Sequence, residues 1–289
     1  MEVTQEILRA AKTVRPLPDV AHRVLGIVQT PDYAIDDLVA VVRTDPTLVA
    51  RVLRLCNSAR TGLDRPVTSI ADAITYLGSR NLVQLVLVTC SAGMFAGSKG
   101  SLYSDPKALW QHSISCAFAC QAIATRTGEV AGTTAFTLGI LHDVGKIALS
   151  RVTDESRLLT TLAESDAGLT LDHVALELKA FGCDHAAAAG LVAEHWQLPA
   201  SLAEALRGHH DERILAGSNG LAAIVHIADQ LTLRNGIGNA FPRAPTLISP
   251  HALARLNLRE ADLDKLSESL GRELAKATEL LNLDVATGR

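Results

Sequence analysis

The sequence predicts an all-α protein built as two helical lobes. Three observations carry that expectation. Hydrophobic residues make up 48% of the chain but aromatics only 3%, so the core must be made of Leu, Val, Ile and Ala, which favours helices over sheets. No stretch alternates apolar and polar residues as a half-buried strand does. The breaks between apolar segments carry the marks of helix ends, with Pro and Asp at starts and Gly or paired prolines at stops.

The elements follow in order. Residues 2–13 form an amphipathic helix with Val3, Ile7, Leu8 and Ala11 on one side, and Arg15-Pro16-Leu17-Pro18 stops it. Short helices are expected at 19–30, 35–43, 46–58, 69–77 and 79–96. Asp45-Pro46 opens the third of these, with Pro at the first helical position. Ser69 precedes Asp72 in a capping-box-like pattern, and Ser79 is positioned to cap the following run. The small, polar stretch Ala96-Gly97-Ser98-Lys99-Gly100-Ser101 is the expected linker. It divides an N-terminal helical bundle, 12–97, from a second helical lobe with C-terminal helices, 102–285. Beyond it, helices are expected at 105–127, 130–144, 154–164, 171–181, 184–196, 199–208 and 219–233, then an exposed loop over 234–247. A final pair lies near 250–256 and 259–283.

Bulk properties narrow the function. The net charge is −4, from 27 basic and 31 acidic residues spread evenly, so no basic patch advertises a nucleic-acid polymer as partner. No apolar run approaches the roughly 18 residues a membrane span needs, and the first residues lack a signal-peptide pattern. Five cysteines, odd in number and without a Cys-x-x-Cys pair, read as small buried thiols in a reducing cytoplasm.

The histidines are the informative residues. Of ten, only His22 precedes the linker. His112 sits in a helix rich in Ile, Ala and other small residues, where an unpaired imidazole is costly. The run Leu138-Gly139-Ile140-Leu141 delivers His142 and Asp143 side by side, followed by Gly145, which loosens the backbone, and Lys146. His209 and His210 end a helix that can aim both rings the same way. Asp229 lies in Leu221-Ala222-Ala223-Ile224-Val225-His226-Ile227-Ala228, too apolar to hold a lone carboxylate cheaply. Its bland alternative is an ion pair with a buried Arg or Lys; that of His209 and His210 is a solvated helix end. A metal centre relieves all these costs together. Imidazole and carboxylate donors without thiolates suit Fe, Mn, Zn, Ni or Co. An Asp can join two such ions, the arrangement that activates water against a phosphoryl centre.

Leu141-His142-Asp143-Val144-Gly145-Lys146 resembles the defining motif of the HD superfamily of metal-dependent phosphohydrolases. The flanking text resembles the HDOD branch: Leu17-Pro18, Thr44-Asp45-Pro46-Thr47-Leu48, Leu55-Cys56-Asn57-Ser58, Ser69-Ile70-Ala71-Asp72-Ala73 and Leu77-Gly78 before the linker. After it come Cys183-Asp184-His185, Trp196-Gln197-Leu198-Pro199 and His209-His210. The resemblance covers about residues 12–233 and implies an N-terminal bundle packed on an HD-like lobe.

HDOD domains are typically signalling modules that act through partner proteins and are generally regarded as catalytically silent. Similarity to HD phosphodiesterases implies a first divalent transition metal on His112, His142, Asp143 and Asp229. It implies a second on Asp143, His185, His209 and His210, with Lys146 contacting a substrate phosphate. Asp143 and Lys146 are then the catalytic pair. Two departures stand out. Asp211-Glu212-Arg213-Ile214 follows His210 where the cyclic-di-GMP-cleaving branch carries Gly-Tyr-Pro, and Ala108 lies one turn before His112, where some of those enzymes place an acidic ligand. The expected function is a signalling HDOD module with a metal site. One alternative is a two-metal phosphohydrolase for a cyclic dinucleotide or other phosphate ester; another is that the same residues form a buried hydrogen-bonded network without metal.

Overall fold

A computed structural model describes residues 2–28, 30, 32–57, 66–96, 106–152, 173–237 and 247–281, and among these residues every regular element is helical. The first six helices are α1 (Glu2–Thr13), α2 (Asp19–Val28), α3 (Ile35–Val42), α4 (Pro46–Cys56), α5 (Ile70–Leu77) and α6 (Ser79–Phe95). Then come α7 (Pro106–Thr127), α8 (Gly132–Leu141), α9 (Val144–Val152), α10 (His173–Phe181) and α11 (His185–His195). The chain continues with α12 (Ala200–Gly208), α13 (Glu212–Leu215), α14 (Gly220–Arg234), α15 (Pro250–Arg255) and α16 (Glu260–Leu281). Most of the expected linker, the helix expected at 154–164 and most of the loop expected at 234–247 lie outside the described residues.

Local chemistry sets the helix ends. Asp45 caps α4 by accepting from the Thr47 and Leu48 amides at 2.9 and 3.0 Å, with Pro46 in the first turn. Ser69 accepts from the Asp72 amide at 3.0 Å, and Asp72 reaches back to the Thr68 amide, one residue earlier than a strict capping box. Ser79 is not the cap of α6; Gly78 takes that position at φ +78°. Asn57 clasps the chain ahead of α5. Its amide donates to the Val67 carbonyl and accepts from the Val67 amide, both at 2.7 Å.

One apolar core runs unbroken from α1 and α2 through α6 and α7 to α16. It is mostly Leu, Val, Ile and Ala, with Cys56, Cys90, Cys116, Cys120, Met94 and Phe95 among them and Phe118 and Phe136 meeting edge to face at 5.2 Å. Helix α7 is the axis of the later half, in contact with α6, α8, α14 and α16, while α11 packs on α1, α9 and α12.

The segment around His142 differs from expectation. No helix runs on to residue 144. Helix α8 stops at Leu141, His142 and Asp143 form the turn, and Val144 starts a new helix. Gly145 therefore sits in the first turn of α9 and does not loosen the backbone; it permits contact. A Cβ there would lie 2.6 Å from the Ala189 nitrogen and strike the His185 carbonyl. Gly139 does the same for α8, where a Cβ would come within 2.6 Å of the Ala117 nitrogen on α7. These two close approaches bring the turn against both α7 and α11.

Gly139→Ala is accordingly expected to lower stability by about 1–3 kcal/mol, the cost of overpacking a dense interface. Gly93→Ala, where nothing lies within 4 Å, should raise it by about 0.5–1 kcal/mol through helix propensity. Urea unfolding of the two variants checks both signs.

Candidate metal centre

Five helix segments converge on one buried point. Helix α7 contributes His112, the α8–α9 turn His142 and Asp143, the start of α11 His185, the end of α12 His209 and His210, and α14 Asp229. All are buried except His210, which is partly exposed. The ligand atoms of His112, His142 and Asp143 lie within 4.8 Å of one another, and so do those of His185, His209 and His210. The bland alternatives fail here. Asp229 faces His112, not an Arg or Lys, and His209 is fully buried.

The two carboxylates join the groups. Asp143 Oδ2 lies 3.5 Å from His112 Nε2 and 3.4 Å from His142 Nε2, while Oδ1 lies 3.5 Å from His185 Nε2. Asp229 Oδ1 is 3.0 Å from His112 Nε2, and its Oδ2 is 3.9 Å from His210 Nε2. Lys146 Nζ closes one side, 2.7 Å from Asp143 Oδ2.

The imidazole tautomers are set from outside. Nδ1 of His112 is 3.1 Å from the Ile237 carbonyl, that of His142 2.8 Å from Gly139, and that of His209 2.7 Å from Leu206. Nδ1 of His185 is 2.7 Å from the Glu177 carboxylate. Carbonyl and carboxylate oxygens only accept, so each Nδ1 carries the proton and each neutral ring turns a lone pair on Nε2 inward. Nε2 of His112 then faces Nε2 of His142 at 3.2 Å, and Nε2 of His185 faces that of His210 at 3.1 Å. Buried Asp143 Oδ1 and His209 Nε2 have no hydrogen-bond partner. Among the described residues no such Nδ1 contact sets the His210 tautomer, so its Nε2 can donate to His185; the other acceptors that face one another out of water need protons or a cation between them. This donor set fits a divalent metal by its chemistry and by its orphaned atoms.

The protonation directions agree. Burial disfavours charge on His142 and His185, but Asp143 beside the first and Glu177 beside the second outweigh it and raise both. Burial also pushes Asp143 upward, yet His142, Lys146 and His185 hold it well below the usual carboxylate range. Burial, reinforced by His185 and His142, takes His209 down to about 3. Protons on some rings thus stand where cations would. The thiols do not compete, since burial keeps Cys116 protonated.

Sequence reasoning missed three supporting residues. Glu177 is buried and accepts from both the His185 amide at 2.6 Å and its ring. It shares a helical face with Val174 and Phe181, a placement that could have flagged it. His226 donates from Nδ1 to the His209 carbonyl at 2.8 Å and accepts from the Ser249 amide at 2.9 Å, pinning the turn that carries His209 and His210. Gln230 donates to Asp229 Oδ2 at 3.0 Å.

A carboxylate behind a metal-bound imidazole orients the ring and raises its basicity. Glu177→Gln is therefore expected to weaken metal binding by roughly 10–100-fold with the fold retained. Competition against a chelator, with circular dichroism as the control for folding, measures it.

Known proteins place this geometry in context. A Geobacter sulfurreducens HDOD domain protein of unknown function shares 24% identity and a TM-score of 0.72, with 99% of each chain covered. A candidate phosphohydrolase from Shewanella amazonensis SB2B shares 24% identity and a TM-score of 0.68, over 96% of this chain and 97% of that one. Both likenesses are of fold. An uncharacterized protein of Treponema pallidum (strain Nichols) is 26% identical over 214 residues, 73% of this chain, and the match spans 40% of that relative's length. The family model of the HDOD domain matches residues 14–212, and the chain belongs to the HDOD domain family.

Proposed function

We propose that this chain is a signal-transduction module that acts through contacts with partner proteins and carries a centre for two divalent transition-metal ions. The observation that best supports the metal reading is the inward-facing set of Nε2 lone pairs and carboxylates described above. His112, His142, Asp143 and Asp229 would hold one ion, and Asp143, His185, His209 and His210 the other. Bound there, ions of this kind supply Lewis acidity and lower the pKa of water near a phosphoryl group. The chain's own contribution is orientation: Glu177, His226 and three backbone carbonyls lock the rings before any ion arrives.

A second reading, a phosphohydrolase for a cyclic dinucleotide or other phosphate ester, is favoured by Lys146. Its side chain is 16% exposed while its ammonium touches Asp143. Once Asp143 is engaged by metal, that ammonium is free to meet a phosphate oxygen, which makes Asp143 and Lys146 the residues on which catalysis depends. The likeness in fold to a protein named as a candidate phosphohydrolase is consistent with this reading.

Elemental analysis of the purified protein is expected to find about two transition-metal ions per chain, lost in Asp143→Ala. An absence of metal after purification and reloading overturns the metal reading. With metal present, hydrolysis of phosphodiesters that Lys146→Ala abolishes would favour the enzyme; silence across such substrates would favour the signalling module.

Acidity gives a second test. His142 and His185 are raised from the usual 6.5, so their contribution to stability is full below that value and is lost as pH rises through the folded values. His209 is depressed to about 3, so the unfolded chain gains protons that the folded chain refuses as pH falls below 6.5, and stability falls again. The metal-free protein should be most stable near the ordinary histidine pKa. Added metal, which replaces the ring protons, should remove the loss on the alkaline side. Melting temperatures from about pH 5 to about pH 9, with and without chelator, decide it.

A further inference from the structure

A cavity of about 600 Å³ opens where α6, α7 and α16 meet. It lies away from the metal centre. Gln121, on its wall, is nine residues along α7 from His112, roughly 13 Å of helix. Its floor is apolar, formed by the buried side chains of Phe118 and Leu266. Its rim is cationic, carrying Arg80, Arg126 and Lys265 against the single carboxylate of Asp262. That carboxylate is already engaged, by Arg126 at 3.3 Å and by Arg259 at 3.5 Å. Among the described residues no carboxylate pairs with Arg80 or Lys265.

Arg80 is nonetheless held in place. With the Gln121 amide turned to set its oxygen toward Arg80, that oxygen accepts from Arg80 Nε at 3.1 Å and Nη2 at 3.2 Å, and the Gln84 amide must turn with it to offer its own oxygen to the Gln121 nitrogen. Arg80 Nη2 also reaches Thr125 Oγ1 at 3.5 Å. A neutral amide, itself buried, thus positions a guanidinium without cancelling its charge. The whole chain has a net charge of −4, so this concentration of positive charge runs against the average of the molecule. Asn81, also on the wall, uses its amide nitrogen on the Leu77 carbonyl at 2.8 Å, and among the described residues no hydrogen bond to its oxygen is seen.

We infer that this groove is a nucleotide-binding site, with Arg80 and Lys265 receiving the phosphate and the base lying over Phe118 and Leu266. The volume is that of a small-ligand site. Fixed guanidinium geometry suits phosphate, an apolar floor suits a flat base, and amide side chains suit the polar edge of that base. The site is independent of the metal centre and of any reaction there.

The test is calorimetric titration of the 289-residue chain with AMP and GMP, and with adenosine, guanosine and inorganic phosphate as the partial ligands. The expected result is saturable binding of at least one nucleotide, weakened roughly tenfold by Arg80→Gln and by Lys265→Gln, since each removes one charge-assisted contact. Nucleoside or phosphate alone should bind far more weakly. Asp143→Ala and added chelator should leave the affinity unchanged. Four results overturn the inference: no binding of either nucleotide, equal binding of phosphate alone, binding that both groove variants leave intact, or binding abolished by Asp143→Ala. Lys265 is exposed, so its variant remains informative even where Arg80→Gln fails to fold.

Discussion

The structure depends on a conflict held at its centre. Imidazole lone pairs and carboxylate oxygens face one another in a space that is buried except beside His210 and Lys146, and the outer faces of His112, His142, His185 and His209 are committed to backbone carbonyls and to Glu177. Such an arrangement is unfavourable in isolation, because desolvated acceptors repel and unsatisfied ones retain their full cost. The surrounding helices overrule it. Their apolar faces supply the favourable burial, and the glycines at 139 and 145 let α8 approach α7 and α9 approach α11 closely enough to impose the geometry. Energy that a structural core would release is instead stored as affinity for positive charge.

The same constraint explains why neighbouring residues matter beyond their own contacts. Glu177 turns His185; His226 holds the turn beneath His209 and His210; Gln230 steadies Asp229. None needs to touch an ion to determine how well one fits. Placing ligands on helix ends and on one tight turn, with α7 and α14 as rigid supports, keeps the rings from relaxing into private hydrogen bonds that would end the conflict.

Much of this was legible in the sequence. The helical class followed from composition, and Asp45-Pro46 and Ser69 marked true helix starts. Six of the seven ligand candidates stood out as polar residues in or at the ends of apolar helical runs, whereas His185 came only from the resemblance to HD phosphodiesterases. What escaped did so for physical reasons. Gly145 read as a break because glycine weakens helices in isolation, whereas here it serves a contact with α11 that no local pattern encodes. Glu177 stands beside Leu178 and Lys179, which stay exposed, and its pairing with the amide and ring of His185 depends on how the chain turns into α11. The groove beside Arg80 joins side chains from helices far apart in the chain, and only packing brings them together.

The distance in sequence between the ligands has its own consequence. His112 and Asp229 meet across 117 residues, so an ion bound by both acts as a cross-link closing a long loop. No partly made chain can assemble this centre until residue 229 has left the ribosome and α14 has docked. An ion held by the full set of ligands would therefore enter only after α7 and α14 have met, late in the assembly of the helices around it.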